Sequence, residues 1–188
     1  MRLIKWLPLL SATLWLILRL ASREYLDVYA AMNLGVLSNI LIILVIVFVS
    51  LLSHHRQINR VGVTSFLEDF KRTLKHCLIF VLAAAVSMLL YYGVFSNDIN
   101  EIKSTSLTTF EMMLQDTTAK DDFIGQHQEL IGKSDAELLE NFKLQLESNV
   151  TVHSRVIGSV FALLLVSLAY SLLGVVIWRN YMRSGKSH

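Results

Sequence analysis

The sequence predicts an all-α polytopic membrane protein, with four transmembrane helices and an extracytoplasmic helical insert between spans three and four. Three observations carry this. Val28 to Ser53, Cys77 to Asn97 and Val156 to Trp178 hold no charged residue, and each is long enough for the roughly 20 residues that cross a hydrocarbon core. These runs are continuous and rich in Leu, Ile and Val, whereas barrel strands alternate in short segments. Hydrophobic residues make up 54% of the 188, with only eight Gly and one Pro, a composition of helices rather than of linkers.

The first span is expected at Leu3 to Leu20, with Lys5 and Arg19 near its two ends. Their long stems let both charges snorkel toward opposite interfaces. Pro8 falls in the first turns, where a missing N–H costs least. A cleaved signal peptide is disfavoured, because cutting after Ala21 puts Arg19 at −3 and cutting after Ser22 puts Leu20 there. Residues 1–96 thus hold the first three spans.

An amphipathic cytoplasmic helix is expected at 65–76, leading into the third span. Ser65 and Glu68 have capping-box spacing, and Phe66, Phe70, Leu74 and Cys77 recur every three to four residues. Lys71, Arg72 and Lys75 beside that stripe suit anionic headgroups. Residues 97–155 form the acidic extracytoplasmic helical segment, with eleven acids against five bases. Leu107, Phe110, Met113 and Leu114 mark one helix there, and Gly125 and Gly132 punctuate the middle. A second capping box, Ser134 with Glu137, opens a helix whose Leu138, Leu139, Phe142 and Leu146 form a stripe. No Gly or Pro intervenes before Ile157, so this helix is expected to run into the last span. Residues 156–188 are the fourth span and a basic tail.

Basic residues set the orientation. Arg2 and Lys5, then Arg56, Arg60, Lys71, Arg72 and Lys75, then Arg179, Arg183 and Lys186 fall on one side of a four-span chain. The positive-inside rule makes that side cytoplasmic and locates both termini there, in a bacterial inner membrane. Arg19 and Arg23 dissent from the rule.

The order of elements resembles a known family. Two leading spans precede Ser-Phe-x-x-x-Phe-Lys (Ser65, Phe66, Phe70, Lys71), a third span, an acidic helical insert and a fourth span. That last span opens Ile157-Gly158-Ser159 and closes Leu173-Gly174-Val175-Val176-Ile177 before Arg179. Over about residues 60 to 185 the chain resembles a Bacteroidota four-span membrane protein family of unknown function, domain-of-unknown-function family four-one-nine-nine. The first span lacks the Gly-rich character of that family. The resemblance implies an uncharacterised bacterial inner-membrane protein and supplies no catalytic residue.

Candidate sites are sparse. His54 and His55 point about 100° apart on a helix and cannot jointly face one metal. His127 lies near Asp121, Asp122 and Glu129, acceptable ligand types that acidic loops also produce by chance. A lone Cys77 forms no internal disulfide. Asn149-Val150-Thr151 matches a glycosylation acceptor and means nothing in a bacterium. Asn33, Asn39, Ser87, Tyr91, Tyr92, Ser167 and Tyr170 are expected to make interhelical hydrogen bonds. Gly158 and Ala162, and likewise Ser167 and Ser171, have the four-residue spacing that lets helices approach closely. Ser/His/Asp, HExxH and paired intramembrane carboxylates do not appear, so no catalytic, cofactor-binding or metal residue and no cofactor is expected. A net charge of +2 gives no reason for a nucleic-acid partner. The expected role is a non-catalytic scaffold or accessory subunit, not an enzyme, whose 97–155 segment contacts a partner. Its partners would be the lipid bilayer and a membrane protein or a second copy. The alternatives are a small transporter or channel component and, second, a membrane enzyme.

Overall fold

The computed structural model describes residues 2–61, 65–127 and 130–184. Among them the chain is all-α, with no strand. The helices are α1 (Arg2–Ser22), α2 (Val28–Val61), α3 (Phe66–Leu90), α4 (Asp98–Gln115), α5 (Thr117–Gln126), α6 (Asp135–Asn149) and α7 (Val152–Ser184), with a wide π-turn at Tyr91–Phe95 closing α3. Three helical stretches are long and apolar enough to cross a membrane: Val28–Ser53, Phe66–Phe95 and Val152–Tyr181. A shorter apolar stretch, Trp6–Ser22, precedes them.

Helices α1, α2, α3 and α7 form a bundle in which α3 touches the other three. Its buried ridge explains why. Cys77, Phe80, Val81, Ala84 and Met88 are enclosed and meet Ala12 and Trp15 of α1, Ile43, Ile46 and Val47 of α2, and Leu163 and Val175 of α7. The opposite faces stay apolar and exposed: Leu10, Leu14 and Ile17 on α1, Leu37, Leu41 and Phe48 on α2, Leu82 and Val86 on α3, Phe161 and Leu165 on α7. Apolar faces of this extent are not stable against water. They fit a hydrocarbon surround, so the exposed rows and the helix lengths point the same way.

Close approach of α2 and α7 depends on Gly174, where a Cβ would come 2.6 Å from Val47 Cγ1. The expected small-residue pair at Gly158 and Ala162 does something else. A Cβ at Gly158 meets nothing within 4 Å, and both residues line a cavity.

The start of α3 corrects the expected stripe. Ser65 caps it, its Oγ accepting from the Glu68 N–H at 3.2 Å. Phe66 and Phe70 stack on each other, 6.4 Å apart and nearly parallel. The residues that turn inward, however, are Asp69 and Thr73, one position away from the stripe. Asp69 is drawn in because Arg179 Nε of α7 donates to its carboxylate at 2.8 Å, and Thr73 Oγ1 donates to the Asp69 carbonyl at 2.9 Å.

Residues 98–149 pack as a small helical layer. Phe110 of α4 stacks on Phe142 of α6 at 4.1 Å and takes the edge of Phe123 of α5 at 5.4 Å, with Leu138 buried nearby. The Ser134–Glu137 box is complete, the Glu137 carboxylate accepting from the Ser134 N–H at 2.7 Å. Gly132 turns the chain before it with φ of +86°, a conformation that favours glycine. Helix α4 starts at Asp98, earlier than its apolar periodicity indicates. Helix α6 does not run into α7. It ends at Asn149, and Thr151 Oγ1 accepts from the Ser154 N–H at 3.1 Å, a side-chain cap that starts a new helix at Val152. The last apolar helix therefore begins four residues before the uncharged run does.

Candidate functional site

The first turn of α4 is fastened to the bundle by a buried ionic network. On α1, Ala12, Trp15, Arg19 and Ser22 recur at three- and four-residue steps and all face inward. Arg19, near the last turn of α1, is therefore aimed at the interior, not outward along an interface as expected. It is 2% exposed. What makes its burial tolerable is Asp98, itself 1% exposed, to which Arg19 Nη2 donates at 3.0 Å. Asp98 accepts two further hydrogen bonds at 2.8 Å, from Arg23 Nε and from the Tyr91 hydroxyl. Arg23 also pairs with Glu101, one helical turn along α4. Two guanidinium groups thus face two carboxylates, and the pairing is charge-balanced.

Aromatic rings complete the enclosure. The Arg19 guanidinium lies 5.0 Å from the centre of the Tyr91 ring, within cation–π range. Trp15 meets Tyr91 edge-on at 6.3 Å, and Trp15 Nε1 donates to the Gly35 carbonyl at 3.0 Å. Gly35 leaves room for this arrangement, since a Cβ there would lie 3.3 Å from Arg19 Cδ. Burial alone would lower the Arg23 pKa; the carboxylates of Asp98 and Glu101 outweigh that and raise it, so the charge is fixed. The π-turn helps to bring the groups together. The Ser96 N–H donates to the Tyr91 carbonyl at 2.9 Å, a five-residue span that widens the helix where Tyr91 must meet Asp98.

Beside the network lies a cavity of about 370 Å³ bounded by α1, α2, α3 and α7. Arg19, Asn39 and Arg155 give it polar groups, while Met32, Ile40 and Leu163 give it apolar walls. Arg19 Nη1 and Asn39 Oδ1 are buried and have no hydrogen-bond partner.

The residues singled out in the sequence fare differently. The side chains of His54 and His55 lie outside the described residues, as does Glu129. The His127 ring packs on Phe123 at 4.8 Å, and among the described residues no three His, Cys, Asp or Glu are grouped to hold a metal. Cys77 is buried and accepts a 3.8 Å contact from Ser171 Oγ of α7. Of the polar residues expected to join helices, Tyr91 binds Asp98 and Ser87 Oγ donates to the Ala12 carbonyl at 3.5 Å. Tyr92 meets the Tyr91 ring edge-on at 5.0 Å. Asn33 is exposed, and Asn39 Oδ1 and Ser167 Oγ are buried without partners, so the expectation fails for these three. Sequence reasoning missed the Arg19–Asp98 pair. The available signal was that Arg19 and Arg23 are four apart, Asp98 and Glu101 three apart, and the two arginines break the charge asymmetry of the chain. Comparison with protein-family models, with curated proteins and with solved structures gave no match.

Proposed function

We propose that this is a four-span bacterial inner-membrane protein that acts as a non-catalytic scaffold or accessory subunit, presenting its 97–155 segment to a membrane-protein partner outside the cytoplasm. The observation that carries the reading is the buried network of Arg19, Arg23, Asp98 and Glu101. It ties α4 to α1 with charge-assisted hydrogen bonds, so the segment extends the bundle as a fixed platform and not as a tethered loop. Exposed Met112, Ile131 and Leu144 give the platform apolar contact points amid its acidic surface.

The exposed row Leu10, Leu14 and Ile17 supports α1 as a fourth span, since its apolar face matches those of the three longer helices. Basic residues at the N-terminus, at 54–76 and after Trp178 support cytoplasmic termini. Membership of the Bacteroidota four-span family rests on the Phe and Gly positions given above. Photo-crosslinkers at Met112 and Leu144 in native membranes should yield one shared adduct, absent when the crosslinker stands at Leu82 on α3. Equal adduct patterns from all three positions would refute the scaffold reading. Reporters fused after Arg60 and His188 should read alike, and one after Lys120 opposite; opposite signals at Arg60 and His188 would remove the first span.

A further inference from the structure

We infer that the cavity beside Arg19 is a binding site for one membrane phospholipid whose headgroup carries a single net negative charge. The inference rests on the membrane reading above and is independent of the scaffold role. Polar groups converge at one side of the cavity. Arg19 Nη1 is buried without an acceptor although Nη2 of the same guanidinium is bonded, so the side chain is held rigidly with one donor to spare. Asn39, 3% exposed, faces the same space with an amide oxygen that lacks a donor.

Charge arithmetic fixes the sign and size of the ligand charge. Arg19 and Arg23 are balanced by Asp98 and Glu101. Arg155, which also lines the cavity, has no carboxylate partner among the described residues. One cation remains to be neutralised, and a phosphodiester supplies one negative charge with several acceptor oxygens for Arg155 and Arg19 Nη1. A headgroup hydroxyl would give Asn39 Oδ1 its donor.

The remaining walls take a hydrocarbon chain. From Arg155 the lining residues of α7 continue to Val166, about 16 Å along the helix, facing Val36 and Ile40 of α2. Val36 is 57% exposed and Gly158 is exposed, so the cavity opens between α2 and α7, beside the apolar residues Leu37, Ile157 and Phe161. That opening is on the lipid-facing side in the membrane reading, which makes a bilayer lipid the natural occupant. A volume of about 370 Å³ holds a headgroup and part of one chain, with the rest in the bilayer. Gly158 and Ala162 serve here as the small residues that keep this mouth open.

The test uses the full chain in nanodiscs of equal dioleoylphosphatidylglycerol and dioleoylphosphatidylcholine, released into detergent and weighed by native mass spectrometry. One phosphatidylglycerol should be retained per chain, with at least tenfold preference over phosphatidylcholine. Arg155→Gln should bring the preference down toward unity. Gly158→Phe should abolish retention while leaving the melting temperature unchanged, because its Cβ meets nothing within 4 Å. Equal retention of the two lipids, or retention unaffected by both variants, would overturn the inference. Displacement of phosphatidylglycerol by an equal concentration of oleate would overturn the phospholipid as occupant in favour of a free fatty acid. Loss of the chain from the membrane fraction of cells would instead defeat the membrane reading itself.

Discussion

Replacing Asp98 by Asn removes one charge without changing shape, and the structure allows its cost to be worked out. Asp98 accepts from Arg19 Nη2, Arg23 Nε and Tyr91 Oη within 3.0 Å, and it is 1% exposed. An Asn side chain retains one acceptor oxygen and turns a donor toward donors already present. Arg19 then keeps its buried charge with no carboxylate against it, the situation in which breaking a buried pair costs about 3–5 kcal/mol. For a chain of this size each kcal/mol lowers the melting temperature by about 2–4 °C, so a fall of about 6–20 °C is expected. Thermal unfolding of purified protein in detergent, followed by circular dichroism, measures it. Arg19→Met in the same chain should recover part of the loss, because it removes the stranded charge, with a coupling of about 1–3 kcal/mol in the double-mutant cycle. A fall below about 2 °C for Asp98→Asn, or strict additivity of the two changes, would refute the claim that the network is enclosed and coupled.

Other expectations follow from single contacts. Gly174→Leu should cost about 1–3 kcal/mol by overpacking against Val47, whereas Gly158→Ala should be neutral or gain up to about 1 kcal/mol of helix propensity; thermal melting compares the two directly. Phe142→Ser deletes the ring stacked on Phe110 and should speed proteolysis of intact spheroplasts between Thr118 and Lys133, while unchanged cleavage would mean that the stack does not hold the layer. Hydrogen bonds from the Ser134 backbone and hydroxyl lower the Glu137 pKa below its ordinary 4.5. A depressed folded value means that the box contributes in full above that ordinary value and is lost as pH falls through the lower one. Amide exchange in the first turn of α6 should accordingly rise on acidification through that window, and Glu137→Gln should remove the dependence while keeping the cap.

How much of this was legible depends on the range of the interaction. The three long apolar helices, the caps at Ser65 and Ser134 and the Phe110–Phe142 face were readable because each is set by residues within a turn or two. The inward turn of Asp69 was not, since its partner Arg179 lies at the far end of the chain and hydropathy alone assigned the face to Phe66 and Phe70. Arg19 was misread for the same reason: an arginine near the end of an apolar run usually snorkels, and only Asp98 makes burial the better outcome. The break before α7 was visible in principle. Thr151 with Ser154 is a capping pattern, overlooked because neither Gly nor Pro marks the spot.

The wide turn at Tyr91–Phe95 has a consequence for how such a chain can vary. A five-residue turn holds one residue more than the α-helix around it needs, and each residue of helix corresponds to about 100° of rotation. Deleting one residue between Tyr91 and Phe95 would leave the packed ridge of α3 untouched and swing everything after it by about that angle. Asp98 would leave Arg19, and the Phe110 layer would point toward a different neighbour with its own interior intact. The turn therefore works as a dial between two rigid parts: its length sets the compass bearing of one on the other, separately from the stability of either.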